Sequence, residues 1–165
     1  MIDMKQKVQE ELIYINKTMK IPYKWRTGEV WGEFFRELKE NGIIYANQCP
    51  TCGRQFCLPK SVCTRDHTVC TDRSKWIPVG PKGTVVTYFM AEQSFLLPTT
   101  GEMLKIPFAV GIILLDGATV ILQHQLEETD ESKIKTFMRV EAVIKPKAER
   151  KGNIFDIVHF KTITE

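Results

Sequence analysis

Near the start of the chain apolar side chains return at intervals of four, four, three and four, at Met4, Val8, Leu12, Ile15 and Met19, with charged residues between them. That spacing lays them along one stripe of a helix, which must stop before Pro22. A second helical period covers 29–39, where Trp31, Phe34, Phe35 and Leu38 share a face. Gly42 stands just past its end, where a left-handed cap is wanted. So aromatic a face reads first as core packing and second as a surface for a partner. Residues 43–47 read as a short strand leading into Cys49-Pro50-Thr51-Cys52-Gly53. After Cys70 the pattern shifts to period two and short apolar runs, at 84–90, 108–115, 118–126, 138–145 and 154–162. The fourth run is the clearest, with Val140, Ala142 and Ile144 alternating against Glu141, Val143 and Lys145. Asp116-Gly117 predicts a two-residue hairpin between the second and third strands, because both positions tolerate positive φ. Between the third and fourth, 129–137 predicts a short helix capped by Thr129. Five strands with a small helix in that place are the element order of an OB barrel. The expected fold is mainly β with N-terminal helices: helices over 1–42, a rubredoxin-like zinc ribbon over 43–78 and a five-stranded OB-fold barrel over 79–165.

Composition narrows what such a chain can do. The longest apolar run, Phe108 to Leu115, is strand-sized, and the N-terminus is too charged for a signal peptide, so a cytoplasmic protein with no membrane partner is expected. The net charge of +3 is the small difference between 23 basic and 20 acidic residues, and it creates no strong field for a polyanion. Its distribution matters more. An OB barrel that binds single strands uses basic and aromatic residues on its second and third strands. From Ile106 to Ser132 this chain has no Lys or Arg, while Asp116, Glu127, Glu128, Asp130 and Glu131 are acidic. Nucleic acid is therefore not an expected partner. Lys145, Lys147, Arg150 and Lys151 form a basic cluster that reads as a solvated loop, with phosphate binding as the sharper alternative. His124 and His159 lie in apolar strands, where packing is the ordinary role, and the chain has no phosphate-cradling glycine loop and no nucleophile elbow. The long segment 92–107 carries Phe95, Leu96, Leu97, Met103, Leu104 and Ile106. It either folds over the barrel end or offers an apolar surface to a partner or an acyl chain.

The five cysteines carry the most specific chemistry. Cys49 and Cys52, two residues apart with Gly53 behind them, can point both thiolates at one ion while turn amides bond to sulfur. Cys63 and Cys70 are expected to close a structural zinc tetrahedron, although six residues separate them where a second knuckle has two. His67 competes for the fourth place, since imidazole also suits zinc; four thiolates are the commoner set. Cys57, between Phe56 and Leu58, reads as a buried inert thiol. A closed site of this kind supports folding and leaves no open position for catalysis.

Taken in order, these pieces resemble the zinc-ribbon and OB-fold family catalogued as domain of unknown function thirty-five. The likeness runs from Trp31 to Ile163. It rests on Phe34-Phe35-Arg36-Glu37-Leu38 up to Gly42, on Cys49-Pro50-Thr51-Cys52-Gly53, and on Leu58-Pro59-Lys60 before Cys63. Gly83-Thr84-Val85-Val86, Pro107-Phe108-Ala109-Val110 and the closing strand from Phe155 to Phe160 complete it. The chain departs from the pattern at Asp66, which stands where the family has its fourth ligand. The resemblance implies an accessory subunit, without a nucleophile of its own, of a thiolase-type acyl-CoA acyltransferase complex. Family members are similar partners in sterol side-chain cleavage, in hydroxymethylglutaryl-CoA synthesis and in anaerobic aromatic degradation, where a benzoylsuccinyl-CoA thiolase has such a zinc-finger subunit. The expected partner is a thiolase-fold catalytic subunit, with a coenzyme A thioester at the interface and Trp31, Phe34, Phe35 and the segment from Phe95 to Ile106 as contact surfaces. The alternatives are a nucleic-acid-binding zinc-ribbon OB module and a free-standing acyl-CoA-binding protein.

Overall fold

The computed structural model describes residues 26–94, 96, 101–103 and 105–163. The predicted first helix, with Met4, Val8, Leu12, Ile15 and Met19, lies outside them. The second is α1, Gly28–Asn41, which buries Val30, Phe34 and Leu38. Its spacing of three to four residues turns one row inward, so Trp31 ends 40% exposed at the flank. Gly42 caps it at φ 67°, with its N–H donated to the Leu38 carbonyl at 3.0 Å. A β-carbon there would meet the Arg150 guanidinium at 2.8 Å, so glycine serves both the turn and the close approach.

A three-stranded antiparallel sheet follows. Its centre is β1, Ile44–Gln48, flanked by β2, Gln55–Phe56, and β3, Trp76–Val79. β3 carries Pro78 opposite Tyr45, which suits an edge strand, and a proline in so short a run hides the strand from a reading of periodicity. The second sheet holds β4, Lys82–Ala91; β5, Phe108–Leu115; β6, Leu122–Gln125; β7, Arg139–Ile144; and β8, Ile157–Thr162. Their order is β6-β5-β4-β7-β8, all antiparallel. A parallel bridge between Leu126 and Phe160, with the Glu127 N–H donated to the Phe160 carbonyl at 2.9 Å, joins the two ends. That closure makes the sheet the OB barrel expected from the element order.

Three local expectations are corrected. The connection at Asp116-Gly117 is no two-residue hairpin, because β6 begins only at Leu122, paired with Ile113. The intervening chain is drawn to its neighbours: Arg139 clamps the Asp116 carboxylate with bonds of 2.8 and 2.6 Å, and Thr119 exchanges hydrogen bonds with Gln55 of β2. The short helix expected over 129–137 is a 3-10 turn, Glu131–Lys133, capped by the Asp130 side chain rather than Thr129. The last strand starts at Ile157; Ile154–Asp156 is another 3-10 turn, closed by a capping box between Asn153 and Asp156.

The segment 92–107 also differs from a plain loop. Between Thr87↔Ile112 and Ala91↔Phe108 the β4–β5 register is constant, and the isolated bridge Leu96↔Met103 lies five residues further along each strand. The pairing therefore resumes in the same register beyond the strands' named ends, as an arm that carries two exposed apolar side chains. Inside the molecule a single apolar cluster joins Phe34 and Leu38 of α1, Ile44 and Ala46 of β1, Val79 of β3 and the barrel's Val85, Ile113, Leu115, Val140 and Phe160. It runs across the expected boundaries at 42/43 and 78/79.

Candidate metal centre

β1 delivers the chain into a tight turn at Cys49. The Gly53 N–H bonds back to the Cys49 carbonyl at 3.0 Å with Gly53 at φ 71°, and the Cys52 N–H points at the Cys49 sulfur at 3.5 Å. A second turn repeats this at Cys63. The His67 N–H bonds to the Cys63 carbonyl at 3.1 Å with His67 at φ 59°, and the Arg65 N–H points at the Cys63 sulfur at 3.4 Å. Asp66 in the second turn thus stands where Cys52 stands in the first. Its carboxylate accepts from the Thr68 N–H at 3.0 Å, and the Thr68 hydroxyl and amide hold its pKa below the usual carboxylate range. The Thr51 and Thr68 hydroxyls, 2.9 Å apart, tie the two turns together.

The ligand atoms of Cys49, Cys52, Cys63 and Asp66 all lie within 4.8 Å of one another. Cys52 and Cys63 bring their sulfurs to 3.7 Å, close to the edge of about 3.8 Å that a tetrahedron with metal–sulfur bonds of about 2.3 Å requires. The Asp66 oxygens are 3.5 and 3.6 Å from the Cys49 sulfur. The donors fit a small tetrahedral cation, and these four residues form a cluster that can hold a metal ion.

Of the sequence candidates, Cys49, Cys52 and Cys63 are brought together, while Cys70 lies at the base of the hairpin that carries the second turn. Its N–H bonds to the Ser61 carbonyl at 2.8 Å and its thiol donates to the Thr68 carbonyl at 3.3 Å. It packs with Cys49, Phe56 and Cys63, and burial, with the neighbouring Cys49 sulfur, pushes its pKa up to about 11. His67 serves by its backbone. Cys57 is buried just after β2, and burial pushes its thiol up to about 12. Asn47 escaped the sequence reading although it organises the site. Fully buried on β1, it donates to the Lys60 and Cys70 carbonyls at 2.7 Å each and accepts from the Lys60 N–H at 3.0 Å, fixing the approach to the second turn. The only hint was a polar side chain inside an apolar strand.

The basic cluster is partly absorbed into the fold. Arg150 donates to the Lys145 and Lys39 carbonyls at 2.7 and 3.2 Å, and Lys147 faces Glu40 at 3.5 Å. Asp156 is buried and accepts from the N–H groups of Lys151, Gly152 and Asn153.

With the barrel and its cluster described, comparison with known proteins places the fold. Residues 76–145 match the family described as ChsH2, C-terminal OB-fold domain. The barrel is an OB fold, and its sequence is similar to that domain. Among solved structures, the fold is similar to that of a DUF35-family protein of unknown function from Sulfolobus solfataricus, with a TM-score of 0.55 and 17% identity over 82% of this chain and 85% of that one. It is likewise similar to a chain of the Ltp2-ChsH2(DUF35) aldolase, with a TM-score of 0.53 and 18% identity over 79% of this chain and 93% of the other. No curated protein sequence matches the chain. No helix among the described residues is long and apolar enough to cross a membrane.

Proposed function

We propose that the chain is the accessory subunit of a thiolase-type acyl-CoA enzyme: a zinc-stapled OB barrel that docks on the catalytic subunit and completes its acyl-CoA site. The observation that carries this reading is how the cysteines are disposed. A thiolase-type reaction needs an accessible nucleophilic thiolate. Three of the five cysteines gather with Asp66 around one metal-sized site, and the other two, Cys70 and Cys57, are buried thiols pushed up to about 11 and about 12. The nucleophile then belongs to a partner. The likeness to a chain of the Ltp2-ChsH2(DUF35) aldolase supports a role beside another enzyme subunit.

Zinc is the metal we propose, because three thiolates and one carboxylate at tetrahedral spacing are its ordinary donors and give a closed, structural site. Cys49, Cys52 and Cys63 are ligands, and Asp66 takes the fourth place in preference to Cys70, since its turn repeats the geometry of the first.

The arm at Leu96 and Met103 is the proposed contact with the partner. Both side chains are more than half exposed, Phe89 is nearly so on the same pair of strands, and buried apolar anchors dominate binding energy. Phe34, expected at this interface, is fully buried and contributes to the core instead. The test is to mix the chain with the thiolase-fold protein of the same cells, follow co-elution by size-exclusion chromatography, and assay CoA-dependent cleavage with each component omitted. Co-elution and activity that needs both chains are expected; full activity of the partner alone, without co-elution, would refute the reading.

A further inference from the structure

We infer that two copies of this chain pair through the open edge of β4, antiparallel, about a two-fold axis at Phe89. β5 follows one side of β4 from Gly83 to Ala91, whereas β7 pairs with the other side only from Lys82 to Thr84. The chain just before β7 takes Val85, whose N–H bonds to the Met138 carbonyl at 3.0 Å and whose carbonyl accepts from the Phe137 N–H at 2.6 Å. From Thr87 to Ala91 that side is open among the described residues. Which backbone groups face it follows from the neighbouring strand. The Ala109 carbonyl accepts from the Leu126 N–H, so Ala109 faces β6, and Phe108 and Val110 on either side of it face β4. Their partners Ala91 and Phe89 therefore bond to β5, and Tyr88 and Met90 turn their N–H and C=O outward, where no described group meets them. Exposed edges are normally blunted by charges or proline. From Thr84 to Ala91 there is neither, and the one bulge, between Val85 and Thr87, comes before the open stretch.

The occupant follows from the symmetry of this stretch. Phe137 and Met138 close the edge at Val85, and the chain bends at Gln93, so the two limits lie equally far from Phe89. A strand added here must end at one limit and leave the sheet at the other, and β4 itself meets both conditions. With the axis at Phe89, Gln93 of each copy falls opposite Val85 of the other, and the bend carries one arm away where the other copy's edge is closed. Tyr88 of one copy then meets Met90 of the other, and their outward backbone groups exchange hydrogen bonds on both sides of the axis. Phe89 meets Phe89 at the closer, non-hydrogen-bonded spacing, and Thr87 meets Ala91. Tyr88 and Met90 pack against the core, so Phe89, 48% exposed, shares the opposite face with Thr87 and Ala91. These small side chains flank the two rings diagonally, and no like charges are set opposite each other. Leu96 and Met103 lie beyond the bend and stay free for the proposed catalytic partner. So short a paired stretch makes a small interface, and the association depends on concentration.

Light scattering on the full-length chain alone, over about 1 µM to 1 mM, tests this whether or not the proposed partner is a thiolase. The mass should rise with concentration from 19.0 kDa toward twice that value. Phe89→Lys and Phe89→Glu should each hold it at 19.0 kDa, because the axis sets like charges face to face, and an equimolar mixture of the two should recover the dimer. Recovery on mixing is specific to a residue that meets its own copy, and it separates lost pairing from lost folding. A parent mass constant at 19.0 kDa would overturn the inference. So would a dimer that Phe89→Lys leaves intact, or two variants that stay monomeric when mixed. A parent that is monomeric alone, with Phe89→Lys preventing co-elution with the proposed catalytic subunit, would assign the edge to that subunit instead.

Discussion

Gly53 and His67 hold the same left-handed conformation at equivalent points of two turns, and that equivalence decides which side chain each turn offers to the candidate metal site. Asp66→Ala should weaken zinc binding by more than the roughly 10–100-fold that outer-shell partners contribute, measured by chelator competition, whereas Cys70→Ser should retain stoichiometric zinc. The reverse result would return the fourth place to Cys70. Asp156 shows a different use of a carboxylate: buried, it gathers three N–H groups of the 151–153 loop, and Asp156→Ala should cost at least about 2 kcal/mol by leaving those donors unpaired, read from the urea midpoint. His124 gives the protein a pH dependence. Burial against Phe160 lowers its pKa from 6.5, with His159 adding to the shift, and its Nδ1 has no hydrogen-bond partner among the described residues. The unfolded chain therefore takes up this proton first, so stability is intact above about pH 6.5 and falls as pH drops through that value toward the lower folded pKa. His124→Phe should flatten the urea midpoint between pH 7.5 and 5. The lowered pKa values of Asp116 and Asp130 act in the same direction only below about pH 4.

Among the elements, β4 is the middle strand of the five, paired with β5 on one side and β7 on the other. Gly83 lies where both pairings overlap, opposite Leu115 and Val140. A β-carbon there would come within 2.7 Å of the Leu114 carbonyl oxygen, a backbone atom that cannot step aside without parting two strands. Gly83→Ala should cost about 1–3 kcal/mol of stability by thermal or urea unfolding, as overpacking does. At its other end β4 runs on into the arm. Leu96→Glu with Met103→Glu should leave the unfolding midpoint within about 0.5 kcal/mol of the parent, because both side chains face solvent, and should abolish co-elution with the proposed catalytic partner.

On the scale of the whole molecule, α1, the small sheet and the barrel share one apolar cluster and several polar ties. Trp31 donates to the Pro59 carbonyl at 2.9 Å, Arg73 pairs with Glu33 and Glu37, and Arg150 anchors the end of α1 to the barrel. A fold connected in this way should not lose its small sheet alone. Removing zinc with a strong chelator is expected to lower the melting temperature of the entire chain in one transition, followed by circular dichroism and by barrel amide exchange together. Two separate transitions, with the barrel unchanged, would show that the shared core does not couple the parts.

Periodicity alone determined the helix at 29–39, its glycine cap and the five barrel strands, because each of these follows from side-chain spacing within one element. The first knuckle was equally legible, since Cys-x-x-Cys-Gly specifies a turn by itself. What the sequence left open depended on residues far apart in the chain. The path of the chain after Gly117 was decided by Arg139 and Gln55, the strand containing Pro78 by its pairing with β1, and the arm by a register set in the barrel and continued beyond it. The fourth ligand position was of the same kind. Spacing could offer Cys70, His67 or Asp66, but only a folded turn shows which of the three faces the other donors: Asp66 reaches them, His67 closes the turn with its backbone, and Cys70 is held by Ser61 and Thr68 at the hairpin base.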